Sequence, residues 1–320
     1  MPCYLDLHKT GELARRSEMA RERMSLCRLC PRACGVWRDA GERGFCRTGA
    51  LARLASASPH FGEEPPLSGT GGAGAVFFGG CVMACRFCQN HAISQTGEGD
   101  EVSAGELAAV FLNLQEQGAE NLDLVSPTHV VPQILEALGL AAEQGLRLPV
   151  VFNTGGFDSV ETLQLLDGVV DIYLPDSKYA DDEAAQRCSA LKGYVKANRA
   201  ALREMFRQVG PLRLDDRGVA TRGMLVRHLV LPNNLAGTGR VMRFLAEKVS
   251  PEVHVSLMAQ YSPCHRAAED PALARAITAK EYEAALDAFD ASGLETGFAQ
   301  DFESVSHGLP DFGKDEPFEW

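Results

Sequence analysis

The sequence lacks long apolar runs, an excess of basic residues, internal repeats and low-complexity tracts. No run of about 18 apolar residues occurs, so we expect no transmembrane helix. Lys and Arg total 31 against 43 Asp and Glu, a net charge of −12. That balance argues against nucleic acids and anionic membranes as partners, because both need a basic face. No apolar signal segment follows Met1, so we expect a cytoplasmic protein with reduced cysteines.

The chain does have an ordinary globular composition and many cysteines. Of its 320 residues, 45% are hydrophobic and 23% charged, which suffices for a sizeable buried core. Seven of the ten cysteines fall in two short segments: Cys27, Cys30, Cys34 and Cys46, then Cys81, Cys85 and Cys88. Such clustering in a reducing compartment predicts two metal sites. The isolated cysteines are expected to behave as small apolar side chains: Cys3, Cys188 and Cys264.

Hydrophobic periodicity predicts strands that alternate with helices, which is typical of a parallel sheet. Capping boxes mark two helix starts, at Ser103 with Glu106 and at Thr278 with Glu281. A hairpin is expected over 212–223. The predicted parallel strands are 74–78, 121–125, 148–154, 171–175, 224–231 and 253–261. Six units are too few for a closed eightfold barrel, which leaves a partial barrel or a doubly wound sheet, with chemistry at the carboxyl ends of the strands.

The domain organisation follows from where this pattern begins. Residues 9–24 look helical, and residues 25–73 are rich in Cys, Gly, Pro and Arg with little periodicity, so a metal is expected to order them. We therefore predict a helix plus a cysteine-rich metal-binding segment over 1–70 and the α/β barrel over 71–300. A tail over 301–320 is expected to pack on the surface or to be mobile.

The second cysteine group, with spacing C-x3-C-x2-C, follows the first predicted barrel strand directly. Structural zinc sites and ferredoxin clusters usually take four protein ligands, so Cys81, Cys85 and Cys88 are one short. A four-iron cluster held by three thiolates has one iron that is open to a small molecule. Gly79 and Gly80 allow the backbone to turn tightly beside it. The alternative is that these cysteines complete a structural zinc site with the first group.

This loop, with the aromatic Phe87 before its last cysteine, resembles the signature of the radical S-adenosylmethionine (SAM) superfamily. The resemblance implies a partial (β/α)6 barrel. It also implies a [4Fe–4S] cluster whose open iron chelates the amino and carboxylate groups of SAM. An electron delivered to the cluster, from a reductant such as flavodoxin or ferredoxin, would cleave SAM. The resulting 5′-deoxyadenosyl radical would abstract a hydrogen atom from the substrate.

Within that superfamily, the chain resembles the pyruvate formate-lyase activating enzyme-like branch. The supporting segments are Cys88-Gln89-Asn90, Asn153-Thr154-Gly155-Gly156, Asp176-Ser177-Lys178 and Val226-Arg227-His228. Where that branch has a Gly-Gly-Glu type motif, this chain has Ser126-Pro127-Thr128-His129. The residues expected to contact SAM are therefore Ser126, Thr128, Thr154, Asp176 and Arg227. His129 is a possible ligand, base or hydrogen-bond donor, or else it has a supporting role.

The first group, Cys27, Cys30, Cys34 and Cys46, has enough thiols for one tetrahedral zinc ion or for an auxiliary iron–sulfur cluster. The sequence favours neither metal. Together with Pro31 and the following Arg, its C-x2-C-P-R-x-C-G-V pattern resembles the PflX-like members of the same branch.

The leading hypothesis is a radical SAM enzyme that acts on an unknown protein, peptide or small molecule, and a glycyl radical enzyme is the narrower possibility. An alternative is a non-catalytic iron–sulfur protein for electron transfer or redox sensing. A third is a zinc-dependent interaction module fused to an inactive barrel. The three-cysteine loop argues against the second hypothesis, because a saturated cluster needs four cysteines.

Overall fold

Ten strands form one sheet in a computed structural model of the protein, which describes residues 1–302, 310–312 and 317. The strands are β1 (Ala52–His60), β2 (Ala73–Phe78), β3 (Asp100–Val102), β4 (Leu122–Val125), β5 (Val150–Thr154), β6 (Ile172–Pro175), β7 (Arg213–Leu214), β8 (Ala220–Leu229), β9 (His254–Met258) and β10 (Gly297–Ala299). Their order is β10-β9-β8-β6-β5-β4-β2-β1-β3, and β7 pairs with β8.

The six predicted strands form the parallel centre of this sheet. Strands β2, β4, β5, β6, β8 and β9 pair in parallel, each with its neighbour, and β10 adds a further parallel strand that was not predicted. Every residue of β2 is buried, as expected for a strand covered on both faces. The sheet ends at β10 and β3 without closing, so the predicted α/β partial barrel is confirmed.

Helices connect these strands. They are α1 (Tyr4–Lys9), α2 (Glu12–Glu22), α3 (Pro65–Ser68), α4 (Ala104–Glu116), α5 (Val131–Glu143), α6 (Val160–Leu163), α7 (Asp182–Ser189), α8 (Tyr194–Val209), α9 (Thr238–Lys248) and α10 (Ala279–Asp290). Both predicted capping boxes are confirmed, at Ser103 with Glu106 and at Thr278 with Glu281. In the described part of the chain, none of the helices has the length and hydrophobicity needed to cross a membrane.

Local turn chemistry explains where the helices break. The predicted helix over 9–24 corresponds to α2, which begins only at Glu12 because Gly11 adopts a left-handed φ of 75°; α1, on the other side of Gly11, was not predicted. Gly193 separates α7 from α8 in the same way, with a φ of 70°. The predicted hairpin is present as the antiparallel pair of β7 and β8, where Arg213 lies opposite Arg222.

Strand β1 was not predicted, although it runs for nine residues through the cysteine-rich segment. Eight of those residues are half-buried, and their alternation of apolar and polar side chains is broken at Leu54 and Ala55, where the pairing with β2 has a register shift. β1 pairs antiparallel with β2 and β3, so this segment shares the sheet of the barrel. Most of the predicted tail over 301–320 lies outside the described residues, while the Phe312 ring lies edge-on to Phe77 at 5.4 Å.

The inner face of the barrel becomes a cavity because its lower end is closed. On β4, Leu122 and Leu124 pack among the helices, whereas Asp123 and Val125 point inward. The short helix α3 closes the amino-terminal end of the strands, and the Asn121 side chain donates to the carbonyl oxygen of Leu67 at 2.8 Å. Leu67 packs on the inward side chains of Val151, Ile172, Leu174, Ala220 and Leu225.

We expect Leu67→Ala to destabilise the protein by about 2–5 kcal/mol, because Leu67 is 1% exposed and its loss leaves a cavity at the base of the barrel. The measurement is denaturant-induced unfolding of the cofactor-free protein. Leu26→Ala is the matched control, since Leu26 is 58% exposed, and it should change stability by no more than about 0.5 kcal/mol. Equal effects of the two substitutions would contradict the role given to α3.

Candidate active site at the carboxyl ends of the strands

The three-cysteine loop leaves β2 at the carboxyl edge of the sheet and turns back across the mouth of the barrel. Cys81, Cys85 and Cys88 line a cavity of about 770 Å³. The loop turns at Gly80, whose φ is 83° as expected of a glycine turn. A Cβ atom at Gly80 would lie only 2.3 Å from the carbonyl oxygen of Cys46. The backbones of the two cysteine segments are therefore in contact at this point.

Each thiol of this loop has a hydrogen-bond partner. The Met83 amide donates to the Cys81 sulfur at 3.4 Å, and the Ser189 hydroxyl donates to the Cys85 sulfur at 3.0 Å. The Cys88 sulfur lies 3.3 Å from the hydroxyl oxygen of Ser94. These contacts fix the direction in which all three sulfur atoms point.

Burial makes the thiolate form of these cysteines costly. It raises the pKa of Cys81 to about 12 and that of Cys85 to about 11. The nearest compensating charge is Lys178, which lowers the pKa of all three thiols. Metals bind cysteine in its thiolate form. A strongly positive group bound between these cysteines would therefore offset the cost of ionising them.

Lys178 follows β6 and is held by Asp176, with 2.6 Å between the Lys178 Nζ and the Asp176 Oδ2. Burial opposes the lysine charge, but Asp176 and the Cys85 thiol outweigh it and raise the pKa of Lys178. Both side chains line the cavity, and contact between Asp176 and SAM stays a prediction. Lys178 was not predicted as a site residue, although it belongs to the Asp176-Ser177-Lys178 motif.

The predicted residues Ser126, Thr128 and Thr154 meet at the ends of β4 and β5. Ser126 lines the cavity with left-handed backbone angles (φ 59°, ψ 47°), an uncommon conformation for a residue with a side chain. The hydroxyls of Thr128 and Thr154 donate to opposite oxygens of Asp158, at 2.6 and 2.8 Å. Thr154 lines the cavity, and Thr128 lies buried beside it. Asp158, which the sequence analysis missed, therefore orients both threonines.

Arg227 also lines the cavity, but its guanidinium is already paired. Its Nε donates to Glu64 at 2.9 Å, and its Nη2 contacts both Glu63 and Glu64. The two glutamates belong to the connection between β1 and α3, and nothing in the barrel pattern marked them beforehand. His129 supports the cysteine loop instead of lining the cavity: it is 2% exposed, and its Nε2 lies 3.0 Å from the carbonyl oxygen of Gly79.

Comparison with known proteins now decides the family. The sequence profile of the Radical SAM superfamily matches residues 75–211. The chain is 30% identical over 304 residues to an uncharacterized protein of Methanocaldococcus jannaschii, covering 91% of this chain and 82% of that protein. This chain belongs to the radical SAM superfamily.

The fold agrees with that assignment. A radical SAM methyltransferase from Sphaerobacter thermophilus superposes with a TM-score of 0.50 and 15% identity, covering 71% of this chain. The chain spans 65% of the length of that methyltransferase, so the likeness concerns the fold alone.

A radical SAM enzyme uses a [4Fe–4S] cluster and SAM, and the cavity suits both. Its volume falls within the range of about 300–1,000 Å³ that is usual for ligand pockets. Among the described residues, no three His, Cys, Asp or Glu side chains converge on one metal ion. The residues that would hold the cluster are indicated by their shared place in the cavity: Cys81, Cys85 and Cys88.

The other four predicted ligands lie together beside this radical SAM loop. The Cys27 amide donates to the carbonyl oxygen of Val36 at 2.9 Å, which folds the segment back on itself. Burial raises the pKa of Cys30 to about 12, and the neighbouring thiols of Cys46, Cys27 and Cys34 add to the shift. The four sulfur atoms are therefore close enough to interact electrostatically.

Arg32 joins the two cysteine segments. Its guanidinium donates to the carbonyl oxygen of Val82 at 2.5 Å and to that of Ala190 at 2.9 Å. Arg32 also interacts electrostatically with the thiols of Cys30 and Cys81, one from each cysteine segment. The N-terminal segment is thereby fixed against the loop that carries the radical SAM cysteines.

We expect the stability of the cofactor-free protein to depend on pH through Asp158. Burial raises its pKa from 3.8 to about 6 in the folded state. The stabilisation from this group is full below pH 3.8 and is lost as the pH rises through about 6, a loss of up to about 3 kcal/mol. Asp158→Asn should remove that loss, and denaturant unfolding across this window measures it.

The exposed Asp216→Asn is the control for this prediction, and it should keep the pH dependence of the wild-type protein. If Asp158→Asn and the wild type lose stability in parallel between pH 4 and pH 7, the burial argument is wrong.

Proposed function

We propose that the protein cleaves SAM reductively in the barrel cavity and abstracts hydrogen from a substrate bound in the same cavity. The observation that supports this most is the placement of Cys81, Cys85 and Cys88. They lie at the carboxyl ends of the strands, where they line a cavity of about 770 Å³. The three-thiol loop lacks the fourth ligand of a saturated electron-transfer cluster, which argues against the non-catalytic alternative.

The chain supplies the surroundings for this chemistry. Cys81, Cys85 and Cys88 would hold the [4Fe–4S] cluster, which together with SAM supplies a 5′-deoxyadenosyl radical. Lys178 places a positive charge beside the thiols and is itself held by Asp176. The ion pair keeps one cationic and one anionic group available to the charged methionyl end of a ligand in the cavity.

Thr154 and Ser126 have different tasks in this proposal. The Thr154 hydroxyl donates its proton to Asp158 and accepts a hydrogen bond from the Gly156 amide at 3.3 Å, so it fixes the end of β5 where that strand lines the cavity. The left-handed backbone at Ser126 makes the chain turn directly after the carboxyl end of β4.

The substrate proposal is broader than glycyl radical enzyme activation. Cys88-Gln89-Asn90, at the end of the cysteine motif, favours an activating-enzyme-like reaction on a protein. Ser126-Pro127-Thr128, in place of that branch's Gly-Gly-Glu type motif, favours a wider range of substrates. We therefore propose radical modification of a protein, peptide or small molecule, with a glycyl radical enzyme as the narrower option. Flavodoxin or ferredoxin is the proposed reductant.

We further propose that Cys27, Cys30, Cys34 and Cys46 hold an auxiliary iron–sulfur cluster. Their mutual electrostatic contacts support a shared site. Four thiols are the full ligand set of an iron–sulfur cluster, and a single zinc ion is the alternative that the metal analysis below separates.

Reconstituted protein with dithionite and SAM should form 5′-deoxyadenosine, measured by liquid chromatography and mass spectrometry. Replacing Cys81, Cys85 and Cys88 together with serine should abolish that product, because no site for the cluster remains. Cys188→Ser is the matched control: Cys188 is buried outside the loop, and its loss should leave product formation intact. Product in the triple variant would refute the site assignment.

The N-terminal cysteines are tested by metal analysis. Replacing all four with serine should lower the iron content of the reconstituted protein from about eight to about four atoms per chain. The remaining absorbance should be that of the three-cysteine site. A variant that instead loses about one zinc ion and keeps all its iron would contradict the auxiliary cluster.

A further inference from the structure

A strap from the N-terminal segment crosses the lumen of the barrel. It leaves the end of β1 and carries Glu63 and Glu64 to the opposite side of the cavity. There the carboxylates reach Arg227 on β8, and Glu64 also accepts a hydrogen bond from Ser256 on β9. Both glutamate side chains are about nine-tenths buried. The strap thus brings two acids into the lumen that the barrel strands do not supply.

A third acid faces the same region from β4. Asp123 is 1% exposed and lies on the inward side of its strand, two residues before Val125. Val125 lines the cavity, and Asp123 lies just beneath that lining. Its Oδ2 accepts a hydrogen bond from Asn153 at 3.2 Å, while its Oδ1 is buried without a partner. We call Glu63, Glu64 and Asp123 the inner acidic patch.

The charges of this patch do not balance. Three carboxyl groups face one guanidinium, that of Arg227, and Arg227 is already engaged by two of them. The other cation in the cavity, Lys178, lies beside the cysteines and is held by Asp176. Burial raises the pKa of Glu64 and of Asp123 to about 7, and Glu64 is the charged neighbour of Asp123. A cation of suitable size would relieve this repulsion and give the Asp123 Oδ1 a partner.

Other ligand classes fit less well. An anionic group would meet three acids, and the guanidinium that should receive it is already paired. A neutral apolar group would leave the buried Oδ1 of Asp123 without a partner, a costly arrangement. A metal ion is disfavoured, since no three His, Cys, Asp or Glu side chains of the described residues converge on one point.

We propose that the inner acidic patch binds a cationic amine or guanidine group of the substrate. This inference rests on the proposed function, because it assumes that the substrate occupies the same cavity as SAM. Glu63, Glu64 and Asp123 are then specificity-determining residues, and the strap acts as a recognition element. The amine could belong to a small molecule or to a side chain of a peptide, and the test below separates these sources.

The experiment measures binding by calorimetry to the reconstituted protein with SAM present and no reductant. The small-molecule probes are n-pentylamine and the neutral n-pentanol. The peptide probes are Nα-acetyl-lysine methylamide and the neutral Nα-acetyl-norleucine methylamide. In at least one pair, the amine should bind about tenfold more tightly than its neutral partner, since hydrogen bonds to charged groups are worth at least that much. The pair with the larger ratio identifies the source.

Three variants locate the preference. Glu64→Gln and Asp123→Asn should each remove most of it, while SAM affinity stays unchanged. Asp123→Asn keeps the shape and the acceptor for Asn153 and breaks no ion pair, so it remains informative even if Glu64→Gln fails to fold. Glu120→Gln is the matched control: Glu120 is as buried as Glu63 and pairs with Arg217 outside the cavity. It should keep the full preference.

The proposal is overturned if the wild type shows no preference for amines, or if a preference survives Asp123→Asn. A loss of SAM binding in the patch variants would instead assign the patch to SAM and would also refute it. Failure of the proposed function is distinguishable, because it appears as absent 5′-deoxyadenosine and leaves this unreduced binding assay interpretable.

Discussion

The cost of ionising three half-buried thiols is the constraint on which the rest of the site depends. Partial burial of Cys81, Cys85 and Cys88 in the cavity raises their pKa values, so their thiolates need a positive neighbour. The end of β6 supplies Lys178, and Asp176 keeps that lysine charged. The parallel sheet makes this possible. Its strands all end at one edge, so the cysteine loop that follows β2 and the lysine that follows β6 lie close together.

The N-terminal segment completes the barrel. It supplies the edge strand β1, the helix α3 that closes the base, and the strap that carries Glu63 and Glu64 into the lumen. Arg32 and the contact between Cys46 and Gly80 fix its cysteines against the catalytic loop. The cavity therefore has a cationic end near the thiols and an acidic side near Arg227, and a ligand pair with complementary charges would be oriented by both.

The sequence predicted the parts of this protein that depend on local pattern. Six parallel strands, two capping boxes and the cysteine loop were readable because periodicity, helix caps and ligand spacing are short-range signals. Strand β1 was not, since its alternation is interrupted at a register shift and its apolar positions are mostly small alanines. Glu63, Glu64 and Asp123 were missed because their position depends on a strap that crosses the barrel. Arg227 was expected at SAM, but the same strap pairs it with two glutamates.

The central claim is that the cluster at Cys81, Cys85 and Cys88 has an iron that is open to SAM. Electron–nuclear double resonance on the reduced protein, with SAM labelled by ¹⁵N at its amino group and ¹⁷O at its carboxylate, tests this most directly. We expect hyperfine coupling from both labels in the wild-type protein and in the variant that lacks the four N-terminal cysteines. A reduced cluster whose spectrum shows no coupling to either label would contradict the account.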